Sequence, residues 1–140
     1  MSETETVTVD IELTSPIERV WTALTDPAGF SRWMFFQADG FRPVVGHKFQ
    51  FRSEAGPGWS GIVDAEVLTV DPPHHLSYTW VSGAVNTTVS WTLARRENGG
   101  TSLHLEQTGF AADAHRESGG AHYGWTKMLE QLQGVLASEQ

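Results

Sequence analysis

The chain contains no cysteine among its 140 residues. A disulfide framework, a thiol nucleophile and a cysteine-ligated metal site are therefore excluded. No apolar run approaches the roughly 20 residues that a transmembrane helix needs. Residues 1–6 are polar and acidic, a composition that is not typical of a secretory signal peptide. We therefore expect a soluble, cytoplasmic protein without membrane contact.

Positive charge is also scarce. Lys and Arg together number 9 against 17 Asp and Glu, which gives a net charge of −8. Nucleic acids and anionic membranes attract clustered Lys and Arg, so neither is an expected partner. The six histidines form no metal-binding pattern, since the adjacent His74 and His75 would point to opposite faces of a strand. We predict no metal and no cofactor.

The chain has the size and composition of one globular domain, which we place at residues 1–140 with residues 1–6 disordered. Its hydrophobic fraction is 39%, which is enough for a folded core. From Val7 to Leu13, apolar residues alternate with polar ones, a pattern that predicts a half-buried first strand.

Two short helices are predicted directly after this strand. Ser15 is a candidate N-cap, Pro16 suits the first helical position, and Glu18 could complete a capping box. The pair Asp26 and Pro27 repeats the combination of cap and proline, so a second short helix is expected to begin there.

The rest of the chain predicts five strands and one long helix. The strands are expected at 47–52, 60–70, 75–81, 86–94 and 101–108, separated by turn residues. The helix is expected at 122–138, where apolar residues recur at helical spacing. This order predicts an α+β fold, in which a six-stranded curved antiparallel sheet wraps around the C-terminal helix. Such an arrangement favours an apolar cavity between sheet and helix.

Ordered motifs along almost the whole chain resemble those of a known family. They are Pro-Ile-Glu-Arg-Val-Trp at 16–21, Leu-Thr-Asp-Pro at 24–27, Trp33, Asp-Pro-Pro-His-His-Leu at 71–76, Tyr-Thr-Trp at 78–80, Gly-Gly-Thr at 99–101, Thr-Gly-Phe at 108–110 and Gly-Trp at 124–125. In this order they resemble the AHSA1 branch of the SRPBCC group, which is named for the activator of the Hsp90 ATPase. That branch belongs to the START-like, Bet v 1-like helix-grip superfamily.

The resemblance implies the helix-grip fold, and it implies several kinds of activity. The superfamily includes carriers of hydrophobic ligands, polyketide cyclases, resistance proteins and co-chaperone domains. Many relatives carry His near the end of the last strand where this chain has Gln107, so no acid–base role is transferred to that position.

Inward-facing and aromatic residues are the candidate ligand-binding residues. Gln107 continues the strand phase of Leu103 and Leu105, so it should point inward. The full candidate set is Trp33, Phe35, Phe49, Phe51, Trp59, Tyr78, Trp80, Trp91, Gln107, Tyr123 and Met128. Ordinary core packing is the alternative for each aromatic residue in this set. No catalytic residue is assigned.

The leading hypothesis is therefore the binding of a small hydrophobic or aromatic molecule in the cavity, by a monomer or homodimer. One alternative is a stress-related protein-interaction module that acts on Hsp90-type chaperones. The other is a cyclase- or hydrolase-like enzyme that uses the same cavity. We lean against the enzyme, because the carboxylates Glu12, Glu66 and Glu106 and also His104 alternate with apolar residues and should face solvent.

Overall fold

The computed structural model describes residues 4–26, 30, 32–34, 36–53, 61–83, 85–111 and 115–138. Its strands are β1 (Thr4–Leu13), β2 (Gln37–Asp39), β3 (Lys48–Arg52), β4 (Ile62–Asp71), β5 (His75–Ser82), β6 (Val85–Arg95) and β7 (Thr101–Ala111). Its helices are α1 (Ile17–Thr25) and α2 (His115–Ser138). None of the helices among these residues is long and apolar enough to cross a membrane.

The strands form one curled antiparallel sheet in the order β1-β7-β6-β5-β4-β3-β2. Consecutive strands from β2 to β7 are neighbours in the sheet. Strand β1 lies at the edge beside β7 and pairs with it, with Val9 opposite Leu105. The predicted α+β helix-grip architecture is confirmed. The described sheet has seven strands where six were expected. The additional strand, β2, is only three residues long and is too short to show an alternating pattern.

The N-terminal predictions need two corrections. Residues 4–6 were expected to be disordered, but they extend β1, with Thr4 opposite Ala111. The N-cap of α1 is Pro16 rather than Ser15. The Glu18 carboxylate lies 2.9 Å from the guanidinium of Arg95.

The second short helix is partly described. Phe30, Arg32 and Trp33 are helical, and the N–H of Met34 donates to the carbonyl of Phe30 at 2.7 Å. The predicted start at Pro27 lies outside the described residues.

Helix α2 covers the concave face of the sheet with the predicted apolar stripe. Trp125, Leu129, Leu132 and Leu136 are all buried against this face. The helix begins at His115, seven residues before the predicted 122, and it runs through Gly119 and Gly120. The two glycines weaken a helix through backbone entropy without preventing it. The core therefore lies between one helix and the inner face of the sheet.

Candidate functional site

At one end of the concave face, aromatic side chains fill the space between sheet and helix. We call this region, made of Trp33, Phe49, Phe51, Tyr78 and Trp91, the packed end. The rings of Phe49 and Phe51 lie 5.0 Å apart, and those of Trp33 and Trp91 lie 6.0 Å apart and nearly perpendicular. The indole N–H of Trp91 donates to the Tyr78 hydroxyl at 3.0 Å. Burial raises the pKa of Tyr78 well above its ordinary value, so this hydroxyl stays protonated.

At the other end, the same layer contains a cavity of about 530 Å³. We call this region the cavity end. It lies over the final residues of β5 and β7 and the first residues of β4 and β6, and it is covered by the first half of α2. Its lining residues are Phe36, Val63, Trp80, Ser82, Val85, Gln107, Phe110, Gly120, Ala121, Gly124, Trp125 and Met128. This volume falls in the range of pockets that bind small molecules.

Part of the cavity wall consists of small residues of α2. The helix contributes Gly120, Ala121 and Gly124 to the cavity wall. One to three turns later, the same helix contributes leucines that are buried in the core. A Cβ placed on Gly120 or on Gly124 would have no heavy atom within 4 Å. A Cβ at either position would therefore meet open space.

A chain of three hydrogen bonds orients the polar wall of the cavity. The Trp125 indole N–H donates to Oε1 of Gln107 at 2.8 Å. Nε2 of Gln107 donates to the Thr87 hydroxyl at 2.8 Å, and that hydroxyl donates to the carbonyl of Trp80 at 2.8 Å. An indole can only donate and a backbone carbonyl can only accept, so the direction of every bond is determined. The side-chain amide of Gln107, which is only 1% exposed, therefore has one orientation.

Three of the eleven candidate ligand-binding residues line this cavity: Trp80, Gln107 and Met128. Five others do not line it and form the packed end instead. They do face inward, as the strand alternation predicts, but neighbouring rings occupy the space around them. Phe35 and Trp59 lie outside the described residues.

Tyr123, the remaining member of the candidate set, does not line the cavity and is 66% exposed. Two residues correspond to roughly 200° of rotation in an α-helix, so Tyr123 faces away from the side of Trp125. The ammonium of Lys127 lies over its ring, 5.7 Å from the centroid. Tyr123 therefore belongs to the solvent face of α2.

Phe110 lines the cavity although strict alternation from Gln107 would turn it outward. Strand β1 pairs with β7 through a register shift, so that Glu5 lies opposite Phe110 and Thr6 opposite Thr108. Gly109 is the extra residue of this bulge, and its φ of 101° is accessible to glycine at little cost. The bulge changes the phase of the strand and directs Phe110 inward. Its signal in the sequence is the glycine in the strand pattern.

Two further lining residues were left out of the candidate set. Trp125 lies in the apolar stripe of α2 and contacts Trp91, with 5.5 Å between the ring centroids. It also contacts Trp80 at 5.3 Å and so separates the packed end from the cavity end. Phe36 lies with its ring centroid 5.2 Å from that of Trp80. Helical and strand periodicity identify the inward face, but they do not show where on that face space remains.

The outer face of the sheet carries the predicted polar groups. Nδ1 of His104 lies 2.5 Å from a carboxylate oxygen of Asp10, and Nε2 lies 2.9 Å from one of Glu106. Hydrogen bonds to Glu106 and Asp10 raise the pKa of His104 above its ordinary value. Both ring nitrogens can donate only in the imidazolium form, so this cluster favours a charged histidine. It lies on the opposite face of the sheet from the cavity.

Solved structures with this fold are numerous. The chain is similar to protein MLL2253 from Mesorhizobium loti, with 36% identity and a TM-score of 0.87, over 97% of this chain and 99% of that one. The Aha1 dimer from Colwellia psychrerythraea shows the same fold at 20% identity, with a TM-score of 0.79 and coverage of 94% and 96%. No curated protein matches the sequence.

DynU16, a putative protein in the dynemicin biosynthetic locus, also shows the fold. It is 24% identical with a TM-score of 0.79, over 96% of this chain and 48% of DynU16, so the chain spans about half of that protein's length. The family model described as Activator of Hsp90 ATPase homolog 1-like protein matches residues 14–137. Because that match covers most of the chain, and MLL2253 is 36% identical over nearly all of it, the chain belongs to the Activator of Hsp90 ATPase homolog 1-like family.

Proposed function

We propose that this protein binds a small, mainly apolar or aromatic molecule in the cavity between the sheet and α2. The observation that carries the proposal is the cavity of about 530 Å³, whose wall is aromatic and aliphatic except for Ser82 and Gln107. Pockets of this kind, apolar with a few oriented polar groups, are the usual form of small-molecule sites.

The dense packing of the rest of the core supports the proposal. The packed end shows that this sheet can be filled with large side chains, with Trp33, Phe51 and Trp91 almost fully buried. The cavity end shares the same sheet and the same helix, yet glycine and alanine stand at the helix positions above it. A cavity that persists beside an efficiently packed core favours an occupant from outside the chain.

The cavity wall favours binding over acid–base chemistry. None of its described side chains titrates, and its polar side-chain groups are the Ser82 hydroxyl, the Gln107 amide and the indole N–H groups of Trp80 and Trp125. General acid–base catalysis needs a group that exchanges a proton near the working pH. The structural likeness to DynU16, which comes from a biosynthetic locus, supports a small-molecule role for the fold.

The proposal can be tested with the neutral dye N-phenyl-1-naphthylamine, whose emission rises in apolar surroundings. We expect saturable binding to the full chain, with quenching of tryptophan emission because Trp80 and Trp125 line the cavity. Gly124→Leu should abolish both signals, since the added side chain would occupy the cavity.

Gly134→Leu is the matched control. Gly134 lies on the same helix, is exposed and also has no heavy atom within 4 Å of a Cβ position. Both substitutions replace glycine by a stronger helix former, so both variants should be at least as stable as the parent chain. Equal dye binding by the two variants would contradict the proposal.

A chaperone-directed activity is the second hypothesis from the sequence, and family membership is its support. It requires a saturable change in the ATPase rate of an Hsp90-type chaperone when the full chain is added. The Gly124→Leu variant separates the two functions, because it fills the cavity and leaves the outer surfaces of the sheet unchanged.

Cytoplasmic localisation and assembly as a monomer or homodimer also remain predictions. The Aha1 protein from Colwellia psychrerythraea forms a dimer, and sedimentation of this chain would test the same state.

A further inference from the structure

The amide of Gln107 has one donor that the described residues do not use. A glutamine side chain has two N–H donors and two lone pairs on its oxygen. Thr87 takes one donor and Trp125 takes one lone pair. A buried N–H without an acceptor is rarer than a carbonyl with one idle lone pair. The second N–H of the Gln107 amide therefore still requires a hydrogen-bond acceptor.

Trp80 lines the cavity, and its indole N–H is a second available donor. It forms no hydrogen bond within the described residues, where every buried side-chain nitrogen or oxygen has a partner. This N–H must therefore be accessible to a molecule outside the protein. The nearby hydroxyls cannot add donors, since Ser82 donates to the Ile62 carbonyl at 2.9 Å and Thr87 donates to the Trp80 carbonyl.

The absence of charged residues from the described lining narrows the class of possible ligands further. None of the described lining residues is charged, and the chain as a whole has a net charge of −8. A carboxylate or phosphate inside the cavity would lose its hydration without gaining a cationic partner, which is unfavourable. The wall therefore disfavours fatty acids and other anions.

We propose, building on the binding function proposed above, that the ligand is an uncharged aromatic molecule with an oxygen acceptor, such as a ketone or an ether. The oxygen accepts hydrogen bonds from Gln107 and Trp80, and the aromatic part packs against the rings of Phe36, Phe110 and Trp125. The hydrogen bonds from Trp125 and to Thr87 make Gln107 a preoriented specificity residue, since they hold its amide in place before the ligand enters.

Three probes of nearly the same shape test this inference: fluorene, 9-fluorenone and fluorene-9-carboxylate. Their dissociation constants are measured by quenching of tryptophan emission with the full chain. The key quantity is the affinity of fluorenone divided by that of fluorene, because changes in cavity shape affect both probes alike. We expect this ratio to fall about fivefold or more in the combined variant Gln107→Met with Trp80→Phe, which corresponds to one net hydrogen bond. Fluorene-9-carboxylate should bind most weakly.

Ser90→Ala is the control, because it removes a hydroxyl from β6 at a position that alternates with the buried Val89 and Trp91 and does not line the cavity. It should leave the ratio unchanged. Methionine keeps the length of Gln107 and offers Trp125 a weak acceptor, which helps the variant to fold. Infrared spectroscopy of fluorenone on the parent chain gives an independent measurement. Its carbonyl stretch should lie below the frequency in an apolar solvent.

The outcomes separate this inference from the binding function beneath it. If none of the probes binds, the binding function itself fails. If fluorene and fluorenone bind but their ratio is the same in the combined variant, the assigned donors are wrong and the binding function stands. Tighter binding of the carboxylate, or an unshifted carbonyl stretch, would equally overturn the proposed ligand class.

Discussion

The packed end and the cavity end are made by the same sheet and the same helix, yet only one of them is filled. At the packed end, Trp33 from the helical segment after α1 packs on Trp91 of β6. At the cavity end, the corresponding layer receives glycine and alanine from the first half of α2. Trp125 contacts both regions. The difference shows that the cavity results from the residues on one helix, whereas the sheet is continuous beneath both ends.

The two ends also use their polar groups differently. Inside the packed end, the indole of Trp91 donates to the hydroxyl of Tyr78, and neighbouring rings contact both side chains. At the cavity end, Gln107 uses part of its capacity to fix its own orientation and retains a donor. A hydrogen-bonded pair enclosed by other rings contributes to the uniqueness of the core, whereas a preoriented group that borders a cavity can also recognise a ligand. The comparison therefore assigns stability to one end and specificity to the other.

The largest expected effect is the loss of a buried leucine on α2. Leu132→Ala should lower the free energy of unfolding by about 3 kcal/mol, because it creates a void in a filled region. Met128→Ala should cost at least about 1 kcal/mol less, since Met128 already borders the cavity. Urea denaturation measures both values. Equal losses of unfolding free energy in the two variants would contradict the distinction between a filled and an open end.

Thr87→Val tests the hydrogen bonds at the cavity end. The substitution keeps the side-chain shape but removes the acceptor of the Gln107 amide N–H and the hydroxyl that donates to the Trp80 carbonyl. We expect a loss of about 1–2 kcal/mol of stability. Thr88→Val on the outer face of the same strand should change stability by less than about 0.5 kcal/mol. Similar losses in the two variants would show that Gln107 is not held by this network.

The glycines of α2 provide a smaller effect of opposite sign. Gly124→Ala and Gly134→Ala should each raise stability by about 0.5–1 kcal/mol, because neither position has a neighbour that a Cβ would meet. Thermal denaturation measures the gain. Destabilisation by Gly124→Ala alone would mean that the cavity end needs this glycine for packing, contrary to the comparison.

The smallest effect concerns the outer face and its dependence on pH. Because the pKa of His104 is raised in the folded state, its contribution to stability is present below the ordinary value of about 6.5 and is lost as the pH rises through the raised value. The stability difference between the parent chain and His104→Gln should therefore be larger at about pH 6 than at about pH 8.5.

Binding of the neutral dye provides the contrast to this pH effect. Since none of the described lining residues titrates, the dye affinity should be the same at the two pH values. A dye affinity that followed the pH dependence of His104 would contradict the separation of the cavity from the outer face.

Much of the fold could be predicted because periodicity depends on local geometry. Alternation correctly turned Val89, Trp91 and Gln107 inward, and helical spacing correctly placed Leu129 and Leu132 in the core. The three-residue strand β2 and the bulge at Gly109 were not predicted. Both depend on pairing with a distant strand, which no local pattern records.

The candidate site was predicted less well, for a physical reason. A sequence period identifies which face a residue occupies, so Phe49, Tyr78 and Trp80 were treated as equivalent. Which of them meets empty space depends on what another element places opposite it. Phe49 and Tyr78 meet other rings, whereas Trp80 lies beneath the part of α2 where glycine and alanine stand.

The sequence by itself determined the order of the elements, the inward face of each strand and the family. These properties depend on neighbouring residues and on ordered motifs. Tertiary structure alone decided where the core is filled, where it is open and which way the Gln107 amide points. Those properties arise from residues far apart in the chain, such as Thr87, Gln107 and Trp125, which meet only after the sheet has closed on the helix.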